Sequence, residues 1–132
     1  MLIPGTKVGD LTVETALGSG ALSVVYRVRQ DETQRRYALK VMRLALDKGG
    51  QYFFDQAQPS TALAHPGIVA VRDRIEVGPC PGLLQELVEG PSLSAWIAQM
   101  QPSVEQALEV FRELLAAVSH AHRVGVVHLD LK

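Results

Sequence analysis

The last residues of the sequence could transfer a proton beside a negatively charged substrate. Asp130 follows His128 by two positions and precedes Lys132 by two, after a short β-prone run. A carboxylate can accept the proton of a hydroxyl group, and a nearby ammonium can balance the charge of a phosphate. An ordinary exposed acid–base pair is the alternative, and this triplet alone does not exclude it.

Two glycines provide a second candidate. Gly18 and Gly20 lie in the stretch LGSGALSVV, between two β-prone segments. Glycine lets the backbone approach a phosphate closely, so that N–H groups can bond to its oxygens. Such a pair also occurs as a plain tight turn. A dinucleotide-binding fold is disfavoured because no helix follows the glycines directly.

A third candidate is Lys40 in the segment RYALKVMRL. The two-residue period of a strand puts Ala38, Lys40 and Met42 on one face, and Leu39 and Val41 on the other. A lysine in the middle of a strand is either solvated or directed at an anion. The small side chain of Ala38 leaves room for a flat ligand on the same face.

The pattern of β-branched residues and turns predicts five strands in the first part of the chain. Residues 11–29 read as a hairpin, and RYALKVMRL reads as a third strand. HPGIVAVRDRIEV and GLLQELVEG read as two more, around a predicted turn GPCPG that leaves Cys80 as a free surface thiol. Between them, residues 50–64 are predicted to be mostly helical, with a kink or a helix start near Pro59.

Two helices are predicted after the strands. Ser92 is a plausible N-cap for LSAWIAQM, and Ser103 with Gln106 forms a capping-box signature before a helix from about Val104 to Arg123. The apolar residues of this longer helix form a wide stripe that needs a partner surface. We expect the sequence to stop before the helical part is complete.

In this order, the segments resemble the motifs of the protein kinase family, in its serine/threonine branch. The resemblance covers residues 11–132 and implies an α+β fold. A five-stranded antiparallel sheet with one helix (11–88, with the hinge) would precede the first two helices of an incomplete helical lobe (89–132), and residues 1–10 would be an N-terminal extension. The matching motifs are Gly18-x-Gly20-x-x-Ser23-x-Val25, YALK ending at Lys40, HPGIV at 65–69, LQELVEG at 84–90 and HLDLK at 128–132.

The resemblance implies ATP as a ligand and assigns its adenine to a set of apolar residues. Leu17, Val25 and Ala38 would enclose the ring. The backbone groups of Glu86 and Val88 would hydrogen-bond its edge.

The resemblance also implies how the phosphates and the substrate are held. Lys40 would bind the α- and β-phosphates, and Gln85 would be the gatekeeper. Asp130 would be the catalytic base that receives the substrate hydroxyl proton, with Lys132 near the transferred phosphate. The loop implied to lie over the phosphates comprises Gly18, Ser19, Gly20, Ala21, Leu22 and Ser23.

Magnesium is the second implied cofactor, but its two family ligands would come after Lys132, so no metal ligand is predicted in the chain. His120, His122 and His128 do not indicate a metal site. Residues two apart on a helix face different directions, and no cysteine or carboxylate cluster accompanies them.

The sequence departs from the family pattern at three positions. Ser23 replaces the third glycine of the loop, and Leu129 replaces an arginine that would dock a phosphorylated activation loop. Gln56 falls where a helix glutamate should pair with Lys40, and Asp55 is next to it. A neutral amide can bond to an ammonium but cannot supply the opposite charge.

The amino-acid composition limits the number of domains and the classes of partner that the chain could have. The sequence has 132 residues, of which 47% are hydrophobic and 20% charged, with a formal net charge of -1. This is typical of one globular domain and gives no indication of nucleic-acid binding. We expect a cytoplasmic protein without membrane contact, because no secretion signal is present and no apolar run approaches about 20 residues.

The sequence therefore predicts part of a serine/threonine kinase that uses ATP and Mg²⁺ to phosphorylate protein hydroxyl groups. The residues up to Lys132 are expected to be inactive alone, since the D-F-G motif is missing. The alternative is a degenerate kinase-like module that binds a nucleotide or a partner protein without catalysis.

Overall fold

The computed structural model describes residues 1–45 and 63–128. The chain divides into two compact units, one of Met1–Ser60 with Ala70–Val88 and the other of Thr61–Val69 with Glu89–Lys132. The elements are β1 (Lys7–Val8), β2 (Leu11–Ser19), β3 (Ser23–Gln30), β4 (Arg36–Met42), β5 (Val71–Val77), β6 (Cys80–Glu86), α1 (Leu93–Met100) and α2 (Val104–Arg123).

The strands form one antiparallel sheet in the order β1-β2-β3-β4-β6-β5. Hairpins join β2 to β3, β3 to β4 and β5 to β6, and β4 pairs with β6 across a long connection. The predicted α+β class is confirmed, with an antiparallel sheet followed by two helices. Strand β4 lies between β3 and β6, so both of its edges are paired.

The sheet has six strands among the described residues, where the sequence predicts five. The additional strand is Lys7–Val8, which pairs with the start of β2. The chain before it is held on β2 as well, since Gly5 N–H donates to the Val13 carbonyl (2.8 Å) and Val13 N–H donates to Thr6 (2.9 Å). A strand of two residues shows no periodicity, which explains why the sequence pattern misses it.

The turn around Cys80 is shorter than predicted. It is confined to positions 78–79, and Cys80 already pairs with Val77 as the first residue of β6. Pro81 follows inside an interior strand, although proline lacks the N–H that a ladder needs. It is tolerated because β4 pairs with β6 only from Gly82 onward.

The strand predicted from position 65 begins at Val71 instead. The residues before it form a turn around His65, whose ring Nδ1 accepts from Gly67 N–H (3.0 Å) and whose carbonyl accepts from Ile68 N–H (3.0 Å). An imidazole that caps a turn competes with strand pairing. The helix predicted over 50–64 falls almost entirely outside the described residues.

Alternation along the central strands builds the core on one face of the sheet. In β3, Val24, Tyr26 and Val28 are buried, while the residues between them are half-buried. Leu39 of β4 and Leu84 of β6 pack into the same cluster. The opposite face therefore carries Lys40, as the two-residue period predicts.

Both helices begin at the predicted caps. Ser92 Oγ accepts from Ala95 N–H (3.2 Å), and Ser103 and Gln106 exchange side-chain-to-backbone bonds of 2.9 and 3.3 Å. These bonds satisfy N–H groups that the first turn leaves without partners. Helix α2 keeps an apolar stripe in contact with solvent, and Phe111 is 53% exposed. The other exposed members are Val104, Leu108, Leu114 and Leu115.

Hydrogen bonds to Asp31 link β1 and β2 to the β3–β4 hairpin. Lys7 Nζ lies 2.5 Å from Oδ2, and Thr12 Oγ1 donates to Oδ1 at 2.6 Å. The bonds from Lys7 and Thr12 hold the pKa of Asp31 below its ordinary value. Because the folded pKa is depressed, the contribution to stability is present above the unfolded pKa and is lost as the pH falls through the folded value.

We predict that Asp31→Asn lowers the melting temperature at about pH 7, and that the difference from the parent shrinks as the pH falls through the lowered folded pKa of Asp31. Thermal unfolding by circular dichroism across this range measures the effect. Glu32→Gln is the matched control, since Glu32 is an adjacent exposed carboxylate. A deficit for Asp31→Asn that does not depend on pH would contradict the assignment.

Candidate functional site

The glycine pair lies where β2 ends and the chain turns into β3. Gly18 pairs with Val25 and Ser19 with Val24, so both glycines belong to the closed end of a hairpin. Gly20 N–H donates to the Ser23 carbonyl at 2.8 Å and closes the turn. The hairpin expected from the sequence is therefore present, and we call residues 18–23 the glycine loop.

Nothing in the described structure requires glycine at these two positions. A Cβ added to Gly18 would meet no atom within 4 Å, and one added to Gly20 would meet only the Ser23 carbonyl, at 3.8 Å. Neither residue has a positive φ, the conformation that favours glycine. The absent side chains leave open space along the backbone, which a ligand can approach.

Lys40 shares one transverse row of the sheet with the glycine loop. Gly18 is opposite Val25, Val25 is opposite Lys40, and Lys40 is opposite Leu83. Residues directly opposite in antiparallel strands have their side chains on the same face, with Cβ atoms about 5 Å apart. The register therefore places the lysine beside the strand that enters from the loop.

The next row carries the residues predicted to contact a flat ring. Ala38 is opposite Arg27 on one side and opposite Gln85 on the other. Ala38 is buried and Gln85 is half-buried. Leu17 precedes Gly18 at an irregularity in the β2–β3 register and is 48% exposed.

Lys40 is half-buried, and its side-chain ammonium makes no ion pair or hydrogen bond with another described residue. An ammonium group that leaves bulk water needs a compensating charge or polar partner. Within the described part of the chain, the lysine is thus available to an anion.

A cluster of arginines adds positive charge to the face that carries Lys40. Nε atoms of Arg27, Arg29 and Arg36 lie 3.0, 3.5 and 3.0 Å from the Glu14 carboxylate. The buried side-chain Nε–H of Arg27 has no hydrogen-bond partner in the described residues, so its interaction with Glu14 is a charge contact without a hydrogen bond. One carboxylate cannot neutralise three guanidinium groups, and the remaining charge favours an anionic ligand.

The last residue of β6 and the segment after it offer two backbone groups at the positions predicted to hold adenine. Glu86 N–H already donates to the Ala70 carbonyl at 2.9 Å. Val88 is 65% exposed, and its N–H makes no hydrogen bond to any described residue. A ligand at this edge could therefore use the Val88 N–H, while Glu86 could take part only through its carbonyl oxygen.

Arg43, which no motif in the sequence indicates, contacts the glycine loop directly. Its Nε donates to the Gly20 carbonyl (3.1 Å), its Nη2 to Ser19 Oγ (2.7 Å), and its backbone N–H to the Leu22 carbonyl (2.9 Å). These partners are more than twenty positions earlier in the chain. No local pattern could have indicated the contact.

The remaining predicted site residues lie outside the described part of the chain. They are Gln56 with its neighbour Asp55, Leu129, and the proposed catalytic pair Asp130 and Lys132. Residues 1–45 and 63–128 contain no group of three or more histidine, cysteine or acidic side chains that could hold a metal ion. In the same residues, neither helix has the length and apolar composition that crossing a bilayer requires.

Comparison with known proteins identifies the family. The protein kinase domain matches residues 11–132, so the chain belongs to the protein kinase family. Calcium/calmodulin-dependent protein kinase type IV of Rattus norvegicus is 36% identical over 98% of this chain, and serine/threonine-protein kinase PrkC of Bacillus subtilis is 29% identical over 100% of this chain. These relatives place the chain in the serine/threonine branch. The chain spans 28% and 21% of their lengths, respectively.

A solved structure agrees with the fold. The kinase domain of PknI from Mycobacterium tuberculosis superimposes with a TM-score of 0.80 at 28% sequence identity. The match covers all of this chain and 56% of that one. The antiparallel sheet and the helices that follow are thus the architecture of a kinase domain.

We predict that Gly18→Ala leaves the stability unchanged or raises it by about 0.5 kcal/mol, because alanine loses less conformational entropy on folding. Gly82→Ala is the matched contrast in the same sheet. A Cβ there would lie 3.0 Å from the Ile75 carbonyl and 3.3 Å from Leu39 Cδ1. It should cost about 1–3 kcal/mol, as overpacking does.

Urea unfolding of the two glycine variants measures this contrast. Equal destabilisation by both substitutions would mean that Gly18 has a packing role, and it would remove the argument that its open space serves a ligand.

Proposed function

We propose that the chain is the ATP-binding part of a serine/threonine protein kinase that phosphorylates protein hydroxyl groups. The observation that carries the proposal is the register that puts Gly18, Val25 and Lys40 in one row. It aligns an open glycine backbone with an ammonium that has no partner among the described residues. Such a pairing suits a polyphosphate.

In this proposal, the adenine ring lies against the second row of the sheet. Leu17 and Val25 cover the ring, and Ala38 leaves it room. The small size of Ala38 matters because the position is buried and a longer side chain there would occupy the space of the ring. Gln85, opposite Ala38, is the gatekeeper.

The edge of the adenine is hydrogen-bonded by backbone groups of Glu86, the last residue of β6, and of Val88 just after it. The Val88 N–H donates to a ring nitrogen, and the Glu86 carbonyl accepts from the amino group. This division follows from the Glu86 N–H, which is already engaged with Ala70. Hydrogen bonds to fixed backbone groups give orientation without dependence on side-chain rotamers.

The phosphates lie along the glycine loop, where residues 18–23 supply backbone N–H groups. Lys40 binds the α- and β-phosphates, and the arginines around Glu14 add long-range attraction. Held in this way, the nucleotide has fewer orientations available, which lowers the entropic barrier to transfer.

Phosphoryl transfer itself is assigned to Asp130 and Lys132, in a second lobe that begins near residue 89. Asp130 accepts the proton of the substrate hydroxyl, and Lys132 balances charge on the transferred phosphate. Magnesium would neutralise phosphate charge, but the described residues provide no cluster of ligands for it. We therefore assign no step to the metal within this chain. Residues 11–88 would form the nucleotide lobe with its hinge.

One feature of the sequence favours a second candidate function, a kinase-like module that binds a nucleotide or a partner without transfer. Gln56 occupies the position where the family has the glutamate that pairs with Lys40. Without that charge, the lysine loses a fixed ion-pair partner, and nucleotide binding could persist while transfer is lost.

We predict that Lys40→Met weakens ATP binding about tenfold or more and leaves adenosine binding unchanged, because the charge-assisted bond reaches only the phosphates. Isothermal titration calorimetry with both ligands provides the measurement. Arg72→Met, which removes an exposed cation from β5 of the same sheet, should bind ATP as the parent does. Equal ATP affinity of Lys40→Met and the parent would refute the proposed phosphate site.

We predict that residues 1–132 alone transfer no labelled phosphate from ATP to a protein acceptor, since the family places both magnesium ligands after Lys132. Incorporation that Lys40→Ala abolishes would contradict this prediction. In a protein that carries these residues together with a D-F-G segment, Asp130→Asn should abolish transfer and retain ATP binding. Such a protein that binds ATP without any transfer would favour the module instead.

A further inference from the structure

Arg43 connects two parts of the proposed phosphate site. It follows β4 directly, three positions after Lys40, and its guanidinium reaches across to the glycine loop. The fork donates one bond to a backbone oxygen of Gly20 and one to the hydroxyl of Ser19. The loop and the strand that carries the lysine are therefore linked by a side chain as well as by the sheet.

The tip of the loop, between Ser19 and Ser23 with their ladder partners, has few other restraints. One backbone bond, from Gly20 to Ser23, closes the turn, and the backbone N–H of Arg43 adds a bond to Leu22. The two glycines raise the conformational entropy of the segment because they lack side chains. A planar guanidinium with two bonds of fixed geometry restricts such a segment more effectively than an ammonium, which lacks a rigid fork.

We propose that Arg43 is a positioning residue that holds the glycine loop in the conformation that receives the nucleotide phosphates. This inference rests on the proposed function, since it takes the loop to be the phosphate site. The bonds to Gly20 and Ser19 order the loop before the ligand arrives, so that less conformational entropy is lost on binding. Nucleotides with phosphates gain from this order, and adenosine does not.

A direct role of the Arg43 charge on the phosphates is the main competing explanation. The positioning role and the direct charge role predict different results when lysine replaces Arg43. A lysine retains the positive charge but cannot make both loop bonds in the arginine geometry. If Arg43 positions the loop, Arg43→Lys should behave like Arg43→Met, whereas for a charge effect it should behave like the parent.

The first measurement is amide hydrogen exchange of residues 19–23 in the chain without nucleotide. Arg43→Met should speed exchange there about three- to tenfold, the effect expected from loss of exposed charge-assisted hydrogen bonds. Arg35→Met is the control, because Arg35 is an exposed arginine at the opposite end of the β3–β4 hairpin. Unchanged exchange in Arg43→Met would overturn the proposal.

The second measurement is the affinity for ATP and for adenosine by calorimetry at one ionic strength. Arg43→Met and Arg43→Lys should both weaken ATP binding about three- to tenfold and leave adenosine binding and the melting temperature unchanged. Ser19→Ala should weaken ATP binding less, and adding it to Arg43→Met should have no further effect, because the two residues act through one bond. Parent-like ATP affinity of Arg43→Lys, or full additivity of the Ser19 and Arg43 changes, would refute the positioning role.

The two measurements separate failure of this inference from failure of the proposed function. A parent chain that binds no ATP would refute the nucleotide site, and the exchange experiment would still decide whether Arg43 orders the loop. A parent chain that binds ATP with an affinity indifferent to Arg43 would refute the inference alone.

Discussion

The register of β4 is the constraint on which the site depends. This strand is paired on both edges, with Val25 opposite Lys40 on one side and Leu83 opposite it on the other. A shift of one residue would turn Lys40 toward the core and Leu39 toward the opposite face, because side chains alternate between faces. The burial of Leu39 in the apolar cluster therefore fixes the direction of the lysine. The same register therefore determines both the packing of Leu39 in the core and the position of Lys40 on the opposite face.

The two ends of the proposed phosphate site differ in how tightly the protein holds them. Lys40 is anchored by a strand with partners on both sides, whereas the glycine loop projects from the end of a hairpin. Glycine keeps the backbone accessible but makes it mobile, and mobility opposes tight binding. The bonds from Arg43 allow the backbone to be both accessible and restrained. They hold the loop from one side and leave the space at Gly18 and Gly20 open.

Local sequence patterns predict the parts of the fold that local interactions determine. The hairpins and the caps at Ser92 and Ser103 lie where the turn and capping signals indicate. The pattern misses β1 because two residues give no period, and it misplaces Cys80 because proline and glycine there read as a turn although β6 has begun. It also misses Arg43, whose partners are distant in sequence. The roles of Asp130, Lys132 and Gln56 come only from family resemblance, and these residues lie outside the described structure.

The order of the strands has a consequence for how the domain folds. The hairpins pair strands that follow each other in the sequence and can form locally, but β4 and β6 pair residues more than forty positions apart, such as Val41 and Gly82. Closing so long a loop lowers the conformational entropy of the chain before any stabilising contact has formed. This pairing should therefore form late and slowly. Ala38 meets Gln85 only in that step. A ligand that contacts both β4 and the segment after β6 would bind only the sheet in which β4 and β6 are paired. Binding would therefore stabilise the product of the last folding step.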